Sequence, residues 1–249
     1  MTQITAATEN HLPELSVVIL CYKAGRDVKD FVAKTITELQ QHGIADYQLV
    51  LVGNYHQGST DITPQMVQEL AGGNNRIVGV TLPKQGMMGW DMRSGLNQAT
   101  GRYIAVIDGD GQMPIEDLSK VYKKIKEENL DLVKTYRIVR GDGPWRKILS
   151  LTYNILFKIL FYGVNFRDVN SKPKILNRAS FDKLKLESND WFIDAEIMIQ
   201  ARRYKFKIGE VPTNFLGLKG KRKSFVGPAA VWEFIKNLIT YRLKEFKQK

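Results

Sequence analysis

The sequence predicts an α/β fold in which helices flank a central, mostly parallel β-sheet. Short apolar runs rich in β-branched residues alternate with longer amphipathic segments between residues 15 and 136, and this alternation is typical of parallel strands joined by helical crossovers. The chain has 249 residues, of which 43% are hydrophobic, so it can form one large domain with an ample core. That domain is predicted to cover residues 15–225, preceded by a flexible N-terminus at 1–14 and followed by a basic amphipathic helix at 226–249.

Seven segments have the composition of strands: 15–20, 47–52, 76–82, 103–107, 131–136, 174–176 and 207–212. The first, second and fourth of them are almost entirely apolar, as expected for strands that are buried on both faces of a sheet. Such sheets bind their ligands at the carboxyl ends of the strands. We therefore expect the polar segments after Leu20, Val52 and Ile107 to lie together at a ligand-binding edge.

Seven segments have helical patterns: 27–41, the residues from Pro64 onward, 88–99, 114–129, 145–162, 194–204 and 228–246. The first places Val28 and Val32 on one face, at the spacing that predicts an amphipathic helix. Pro64 and Pro114 suit the first turn of a helix, where proline is favoured. The 145–162 segment is strongly apolar but shorter than the roughly 20 residues that span a bilayer, so it is predicted to be a core helix or an interfacial one.

The net charge of +11 comes almost entirely from the last fifth of the chain, because residues 201–249 carry 13 basic and 3 acidic side chains. A local basic surface predicts an anionic partner, which can be phosphate groups, a membrane or nucleic acid. The single cysteine, Cys21, and three scattered histidines exclude a disulfide framework and a cysteine-rich zinc site. The sequence begins without an apolar leader and has no run long enough to span a bilayer, so we expect a reduced, cytoplasmic protein.

The strongest chemical signal is the pair of Asp108 and Asp110, which flank Gly109 directly after the fourth strand. At the end of a buried strand, two such carboxylates can share a divalent cation and face the phosphate groups bound to it. Their oxygens, together with the amide oxygen of Gln112, suit Mg²⁺ or Mn²⁺. Such an ion would neutralise a diphosphate leaving group, so the motif predicts metal-dependent transfer from a diphosphate donor.

The same residues carry a resemblance to a known family. The stretch with Asp108, Asp110, Gln112 and Pro114 resembles the Asp-x-Asp-x-Gln-x-Pro of family 2 glycosyltransferases, especially the dolichol-phosphate-mannose-synthase-like, polyprenyl-phosphate branch. Further matches, in the family's order, are the Gly-Ser-Thr-Asp at 58–61, the run 101–108 and the Glu-Val-Pro at 210–212. The resemblance covers about residues 15–225. It implies a GT-A-like (Rossmann-like) fold and a hexosyltransferase-type enzyme that uses a nucleotide-sugar donor.

Two departures from the family pattern concern the donor site. The first strand ends without the usual Pro-x-Tyr-Asn-Glu and keeps only Tyr22. The paired aspartates that precede Asp61 in the family, one of which reads the nucleobase, are absent here, and Asn54 is expected to hydrogen-bond the base instead. The resemblance therefore implies a donor site that includes Tyr22, Asn54, Asp61, Asp108 and Gly109, without specifying the nucleotide.

Residues 84–95 follow the third strand, where similar enzymes place a glycine-containing loop and a helix against the donor diphosphate. Gly86 would allow close approach of the backbone, and Asp91 and Arg93 are expected to point into the donor site. The alternative interpretation is a plain turn in which Asp91 stabilises the start of a helix.

Asp194 and Glu196 open a helix after the loop on the acceptor side. In similar inverting transferases an acidic residue here is the general base for an acceptor hydroxyl, and Asp194 is the first candidate, with Glu196 the second. The alternative is that Asp194 caps the helix while Glu196 interacts with the helix dipole. A phosphate acceptor is already anionic and needs no base, and the acid would then orient the sugar.

Arg137, Arg146, Ser150 and Arg222 are expected to bind an acceptor phosphate. The resemblance supplies this set, because polyprenyl-phosphate transferases have an arginine after this strand, an Arg-x-x-x-Ser pair in the next helix and a later basic loop. Guanidinium groups suit phosphate oxygens. Residues 168–172 resemble the family's Asp-x-x-Ser-Gly, with a lysine in place of the glycine.

The last helix is predicted to contact an anionic membrane. Its apolar side chains recur at helical spacing and are Trp232, Ile235, Ile239, Leu243 and Phe246. Basic side chains lie beside that face, as in helices that bind anionic bilayers. The alternative is a helix that packs on its own domain. We expect the protein to be peripheral on the inner face of the cell membrane.

The combined prediction is a metal-dependent inverting glycosyltransferase that moves a sugar from a nucleotide-sugar donor to a polyprenyl-phosphate lipid carrier. The alternative acceptor is a saccharide hydroxyl of a surface polysaccharide or glycolipid precursor. A nucleotidyltransferase is a more distant alternative, because the glycine-rich basic loop after the first strand is missing. A nucleic-acid-binding module would need a zinc finger or a recognition helix, and the sequence shows neither, so nucleic acid is not expected as a partner.

Overall fold

The structure is a computed structural model that describes residues 12–140, 144–163, 166–216 and 228–247. Its strands are β1 (Leu15–Leu20), β2 (Tyr47–Val52), β3 (Ile77–Val80), β4 (Tyr103–Asp108), β5 (Leu132–Arg140), β6 (Lys174–Asn177) and β7 (Ile208–Phe215). Its helices are α1 (Asp27–Gln41), α2 (Thr63–Gly73), α3 (Met88–Leu96), α4 (Asp117–Glu127), α5 (Pro144–Leu160), α6 (Arg178–Phe181), α7 (Ile193–Arg203) and α8 (Pro228–Lys247).

The strands form one sheet with the spatial order β3-β2-β1-β4-β6-β5-β7. β1 pairs in parallel with β2 and with β4, and β2 pairs in parallel with β3. β6 runs antiparallel to both of its neighbours, β4 and β5, whereas β5 and β7 are parallel. The predicted α/β fold with a mostly parallel sheet and flanking helices is confirmed.

The core has two layers because the central strands are apolar on both faces. Val18 and Leu20 of β1 point to a layer that contains residues of α3, α5, α7 and α8. Val17 and Ile19 of the same strand point to the opposite layer, which contains residues of α1, α2 and α4. All six residues of β1 are buried, as expected for a strand in the middle of a covered parallel sheet.

Several boundaries differ from the sequence prediction, and for three of them the structure gives a local reason. α4 begins at Asp117 rather than at Pro114, because a tight turn comes first in which Asp117 donates to the Pro114 carbonyl over 3.2 Å. α3 ends at Leu96, where the Asn97 amide donates to the Arg93 carbonyl and the Gln98 amide donates to the Gly95 carbonyl in a closing turn. β5 extends to Arg140, since it pairs with β7 along its length across a register shift.

Helices α5 and α8 pack against each other and leave apolar side chains exposed. Phe157 of α5, Phe161 directly after that helix and Leu238 of α8 are fully buried. The exposed side chains of these two helices, together with Tyr162 just after α5, are here called the α5–α8 apolar surface: Leu151, Ile155, Ile159, Tyr162, Ile239 and Leu243. Among the described residues, no helix combines the length and the apolar character that crossing a bilayer requires. The predicted membrane-facing side chains Trp232 and Phe246 lie outside the described side chains.

Candidate active site

The carboxyl ends of β1, β2 and β4 meet at one edge of the sheet, as the sequence predicts. Leu20 pairs with Val52 on one side and with Asp108 on the other. The next residue of the β4 end, Gly109, donates its amide to the Leu20 carbonyl over 2.9 Å. A Cβ atom at Gly109 would lie 3.1 Å from that carbonyl oxygen, so a glycine fits the close approach of the two strand ends.

The Asp-Gly-Asp-Gly-Gln loop is held in place by its own hydrogen bonds and by the end of β7. One carboxylate oxygen of Asp110 accepts the Gln112 amide over 2.9 Å, and Gly111 takes a left-handed conformation with φ of +71°. Gln112 and Leu216 then exchange two bonds, because the Leu216 amide donates to the Gln112 carbonyl and the Gln112 side-chain amide donates to the Leu216 carbonyl. These contacts tie the predicted metal-binding loop to the segment that precedes residues 217–227.

A compact cluster of two lysines and two aspartates lies beside this loop. The ammonium group of Lys172 is 3.3 Å from Asp108 Oδ2 and 3.0 Å from Asp194 Oδ2. The ammonium group of Lys174 is 2.6 Å from Asp194 Oδ1 and also donates to the Ser171 carbonyl. The side chains of Lys172, Lys174 and Asp194 are each at most 3% exposed, whereas that of Asp108 is 30% exposed. The cluster therefore links the buried core of the protein to the open edge of the sheet.

Asp194 lies in the site, but its surroundings stabilise its anionic form. Burial alone would raise the pKa of Asp194, and the neighbouring Lys172 and Lys174 outweigh burial, so the pKa of this carboxyl is below its ordinary value. Burial lowers the pKa of Lys174 to about 8, against the opposing effect of Asp194. A carboxylate paired with two ammonium groups is a weak proton acceptor. The assignment of Asp194 as a general base stays a prediction.

Glu196, the second candidate base, is fully buried one helical turn into α7. Its two carboxylate oxygens accept the backbone amides of Glu187 and Ser188 over 3.0 to 3.1 Å. These bonds anchor the segment that enters α7. A catalytic role for Glu196 stays a prediction, and the observed contacts favour a structural role.

The predicted base-reading residue Asn54 is almost fully buried and bonded within the protein. Its amide nitrogen donates to Asp91 over 3.0 Å and to the Ser94 hydroxyl over 2.9 Å, and its carbonyl oxygen accepts the Leu82 amide. A direct hydrogen bond from Asn54 to a nucleobase would require these bonds to rearrange. In the observed arrangement Asn54 joins the end of β2 to α3.

Asp91, predicted for the donor site, forms a buried ion pair with Lys84. Burial raises the pKa of Asp91 in spite of the attraction from Lys84. The Lys84 ammonium also lies 4.3 Å from the centre of the Tyr22 ring, at the end of β1. Tyr22, Lys84 and Asp91 thus form one connected group at the edge of the sheet, which fits the donor region that the sequence predicts.

The glycines and the arginine after β3 pack against the segment before α7. A Cβ atom at Gly86 would lie 2.6 Å from the Asn189 carbonyl oxygen, and one at Gly89 would lie 2.4 Å from the Ser188 carbonyl oxygen. Arg93 donates to the Asn189 side chain over 2.5 Å and to the Glu187 carbonyl over 2.9 Å. The predicted close backbone approach is therefore made to protein, and contact of Gly86 and Arg93 with a diphosphate stays a prediction.

Asp61 lies at the start of α2, where its carboxylate accepts both the backbone amide and the hydroxyl of Thr63. The same hydroxyl accepts the Gly25 amide over 2.8 Å. Asp61 therefore connects the loop after β2 to the loop after β1, and its contact with a donor stays a prediction.

The predicted acceptor-phosphate residues are partly described. Arg137 forms a two-point ion pair with the buried Asp168, with Nε to Oδ2 at 2.6 Å and a terminal nitrogen to Oδ1 at 2.8 Å. Ser150 lies on α5 next to Asn154, which donates to the Ser150 carbonyl and accepts the Val169 amide. The side chain of Arg146 and the whole of Arg222 lie outside the described residues. Binding of phosphate by the predicted set stays a prediction.

Comparison with known proteins decides the family. The sequence pattern of glycosyl transferase family 2 matches residues 16–188, which is well over half of the chain. The chain belongs to glycosyl transferase family 2. The resemblance seen in the Asp-x-Asp motif and its neighbours is thereby confirmed, and so is the enzyme class at the level of the family.

Several curated relatives of this family 2 chain act on lipid phosphates according to their names. A dolichyl-phosphate beta-glucosyltransferase from Trichomonas vaginalis is 26% identical over 230 residues, which are 86% of this chain and 69% of the relative. An undecaprenyl-phosphate 4-deoxy-4-formamido-L-arabinose transferase from Proteus mirabilis is 28% identical over 151 residues, or 60% of this chain and 45% of the relative. The glycosyltransferase AglD from Haloferax volcanii is 26% identical over 81% of this chain, and the match spans only 33% of that relative.

Solved structures support the fold. Glucosyl-3-phosphoglycerate synthase from Mycobacterium tuberculosis, in complex with Mn²⁺, UDP-glucose and phosphoglyceric acid, superposes with a TM-score of 0.69. The match is 16% identical and covers 92% of this chain and 80% of that chain. The same synthase was also solved with Mg²⁺ and UDP. At this identity the likeness shows that the two proteins share a fold, and no more.

The oxygen ligands at the end of β4 fit a divalent ion that is also coordinated by a diphosphate. Within the described ranges, no group of three His, Cys, Asp or Glu side chains is arranged to hold a metal by itself. Asp108 and Asp110 nevertheless supply two hard carboxylates, and Mg²⁺ characteristically binds through one or two carboxylates plus substrate phosphates. Asp108, Asp110 and Gln112 are thus the residues that would hold the ion.

Sequence reasoning missed three lysines of the site: Lys84, Lys172 and Lys174. Lysine is common on surfaces, so its presence alone does not indicate burial. One signal was present, because Lys172 and Lys174 flank a proline at the start of a predicted strand that must enter an apolar sheet. Charges in such a strand require partners, and the partners are Asp108 and Asp194.

Proposed function

We propose that this family 2 protein transfers a sugar, with inversion, from a nucleotide-sugar donor to the phosphate of a polyprenyl lipid carrier. The observation that carries the choice of acceptor is the double ion pair of Asp194 with Lys172 and Lys174. A hydroxyl acceptor needs a base to take its proton, and a carboxylate held by two ammonium groups is poorly suited to that task. A phosphate oxygen is already anionic at neutral pH and needs no base.

In the proposed reaction, an acceptor phosphate oxygen attacks the anomeric carbon while the bond from that carbon to the diphosphate breaks. A divalent ion held by Asp108 and Asp110 would help to neutralise the charge on the leaving diphosphate. Asp108 and Asp110 face that diphosphate from the end of β4, and Tyr22 and Lys84 line the donor region beside them. The names of the Trichomonas and Proteus relatives support a lipid-phosphate acceptor.

We also propose that the protein works at an anionic membrane surface, on the inner face of the cell membrane. The α5–α8 apolar surface supplies side chains that can enter the interface, and Arg242 lies against Tyr162 with its guanidinium 5.6 Å from the ring centre. Basic side chains beside an apolar helical face favour anionic headgroups. A lipid-linked acceptor would be reached from the same surface.

The donor is tested by thermal denaturation with UDP-, GDP-, CDP- and dTDP-sugars, each with and without Mn²⁺. At least one nucleotide-sugar is expected to raise the melting temperature of the chain, since a ligand that binds only the folded state stabilises it. The Asp110→Ala variant is expected to show a smaller shift than the wild type with Mn²⁺ present. If no nucleotide-sugar shifts the melting temperature under either condition, the proposed donor site is wrong.

The acceptor is tested by sugar transfer to polyprenyl phosphate in the Asp194→Asn variant, using the donor found above. Because the phosphate needs no base, the variant is expected to keep transfer within about tenfold of the wild-type rate, below the 10²- to 10⁴-fold typical of a lost general base. Loss of transfer by about 10³-fold or more, in a variant that still binds the donor, would favour the saccharide hydroxyl as acceptor and Asp194 as base.

A further inference from the structure

The ammonium group of Lys172 contacts one of the two carboxylates that would hold the divalent ion. It lies 3.3 Å from Asp108 Oδ2 and 3.0 Å from Asp194 Oδ2, and Met88 closes over it with its sulfur 3.3 Å away. Only 3% of the Lys172 side chain is exposed. The chain therefore carries a fixed positive charge in contact with a carboxylate that would bind the metal.

This arrangement sets up a competition for Asp108. A divalent ion bound by the Asp108 carboxylate would lie close to the Lys172 ammonium, and like charges a few ångströms apart repel strongly in a poorly solvated site. Lys172 cannot easily move away, because breaking a buried ion pair leaves an uncompensated charge behind.

We propose that Lys172 is a built-in cation that competes with the divalent metal for Asp108 and supplies part of the positive charge that the donor diphosphate needs. Lys172 is a positioning residue, because it acts through Asp108. The inference rests on the proposed donor site at the end of β4. It follows that the protein alone binds Mn²⁺ weakly and that its affinity for a nucleoside diphosphate depends little on the metal.

Lys174 provides a matched control. It is another buried lysine of the same cluster and shares the partner Asp194, with its ammonium 2.6 Å from Oδ1. Within the described residues its ammonium donates to Asp194 and to the Ser171 carbonyl, and not to Asp108. Lys172→Met and Lys174→Met therefore remove the same charge from the same cluster, and only the first releases Asp108.

The first measurement is Mn²⁺ binding without nucleotide, followed by electron paramagnetic resonance of the free ion. Lys172→Met is expected to bind Mn²⁺ at least about tenfold more tightly than the wild type, the effect of one charge-assisted contact, whereas Lys174→Met should stay within about twofold of the wild type. A merely structural role predicts weaker binding or none. Equal or weaker Mn²⁺ binding by a folded Lys172→Met variant would overturn the proposal.

The second measurement needs no variant, so it decides the matter even if Lys172→Met does not fold. Binding of UDP, GDP, CDP and dTDP to the wild type is titrated by calorimetry in EDTA and in Mn²⁺. The nucleotide that binds is expected to bind less than about tenfold more weakly in EDTA than in Mn²⁺. Binding that requires Mn²⁺ altogether would contradict the inference while leaving the donor site intact. Absence of any nucleotide binding would overturn the donor site itself, and the Mn²⁺ titration of Lys172→Met would then still test the competition.

Discussion

At the scale of single residues, the pair of Arg137 and Asp168 shows how the site is held together. Two nitrogens of the Arg137 guanidinium donate to the two carboxylate oxygens of Asp168, and both side chains are nearly buried. Burial alone would raise the pKa of Asp168, but Arg137 and two nearby lysines hold it well below its ordinary value. The pair fixes the start of the segment that leads to Lys172.

The Asp168→Asn variant is expected to lose about 3 kcal/mol or more in the free energy of unfolding at pH 7, because the nearly buried Arg137 guanidinium loses its carboxylate partner. In the wild type, Asp168 has a lower pKa folded than unfolded, so its stabilising contribution is complete above about pH 4 and is lost as the pH falls further. The Asp168→Asn variant has no carboxyl group at this position, so it should not show this loss of stability in acid. Urea denaturation at pH 7, 5, 4 and 3 measures both effects.

Asp182→Asn is the control, since it breaks an exposed pair with Arg178 in which the Asp182 side chain is 57% exposed. It is expected to change the free energy of unfolding by less than about 1 kcal/mol. If Asp168→Asn costs no more than this control, or loses stability in acid as steeply as the wild type, the described role of the pair is wrong.

Sequence reasoning found the carboxylates of the site but not the groups that neutralise them. Asp108, Asp110 and Asp194 stand in recognisable patterns next to strands and helices. Asp194 lies on α7, whereas its partners Lys172 and Lys174 lie just before β6 and at its first residue. Such pairs depend on which elements are neighbours in space, and a single sequence does not specify that arrangement.

At the scale of elements, helix α3 depends on a glycine for its close contact with the sheet. A Cβ atom at Gly95 would lie 2.5 Å from a methyl group of Val52 and 2.6 Å from one of Val18. α3 can therefore approach β1 and β2 closely, which brings Asp91 to Asn54 at the end of β2. The position of the donor region thus depends on this helix–sheet distance.

Gly95→Ala is expected to destabilise the protein by about 1–3 kcal/mol through overpacking. Gly72→Ala in α2 is the matched control, because nothing lies within 4 Å of the added methyl group, and there alanine should stabilise the helix by about 0.5–1 kcal/mol. Chemical denaturation of both variants checks the two signs. Equal effects of the two substitutions would contradict the described packing of α3.

The existence of most elements could be predicted, whereas many of their ends could not. Amphipathic periodicity marks α1 clearly, and its predicted bounds agree with Asp27–Gln41. The four-residue helix α6 was missed because it is too short to show a period; it is set by the Asn177 side chain, which accepts the Ser180 amide. Local hydrogen bonds of this kind determine where an element starts, and they cannot be predicted from the pattern of apolar residues.

At the scale of the whole molecule, the proposed membrane contact is a property of two helices that are far apart in sequence. Ile155 and Ile159 of α5 are 50% and 69% exposed, and Leu243 of α8 is 57% exposed. Both helices contribute to this surface, and each also has a buried face, which contains Phe157 in α5 and Leu238 in α8. The sequence predicted the apolar character of both segments but left open which side faces the core.

Ile155→Glu is expected to weaken binding of the whole chain to vesicles containing anionic phosphatidylglycerol by about tenfold or more, given roughly 1.5–3 kcal/mol for burying an isoleucine side chain. Leu12→Glu makes the same change at a leucine that is 46% exposed before β1, and it should bind as the wild type does. Vesicle sedimentation measures both. Equal binding by the two variants would contradict the proposed membrane contact. So would wild-type binding that is equally strong with and without the anionic lipid.

The reversed direction of β6 has a consequence for how the active site tolerates changes in chain length. Lys174 pairs with Val106, only two residues before Asp108, so the beginning of β6 lies at the edge where the other central strands end. An inserted residue between Asp168 and Lys174 would shift both buried lysines relative to Asp108 and Asp194, whereas an insertion at the junction of β6 and α6 would fall at the opposite edge of the sheet. Among related chains, the loop before β6 should therefore vary less in length than the connection directly after it. For the parallel strands β1, β2 and β4 the opposite is expected, because the loops after those strands lie at the active site.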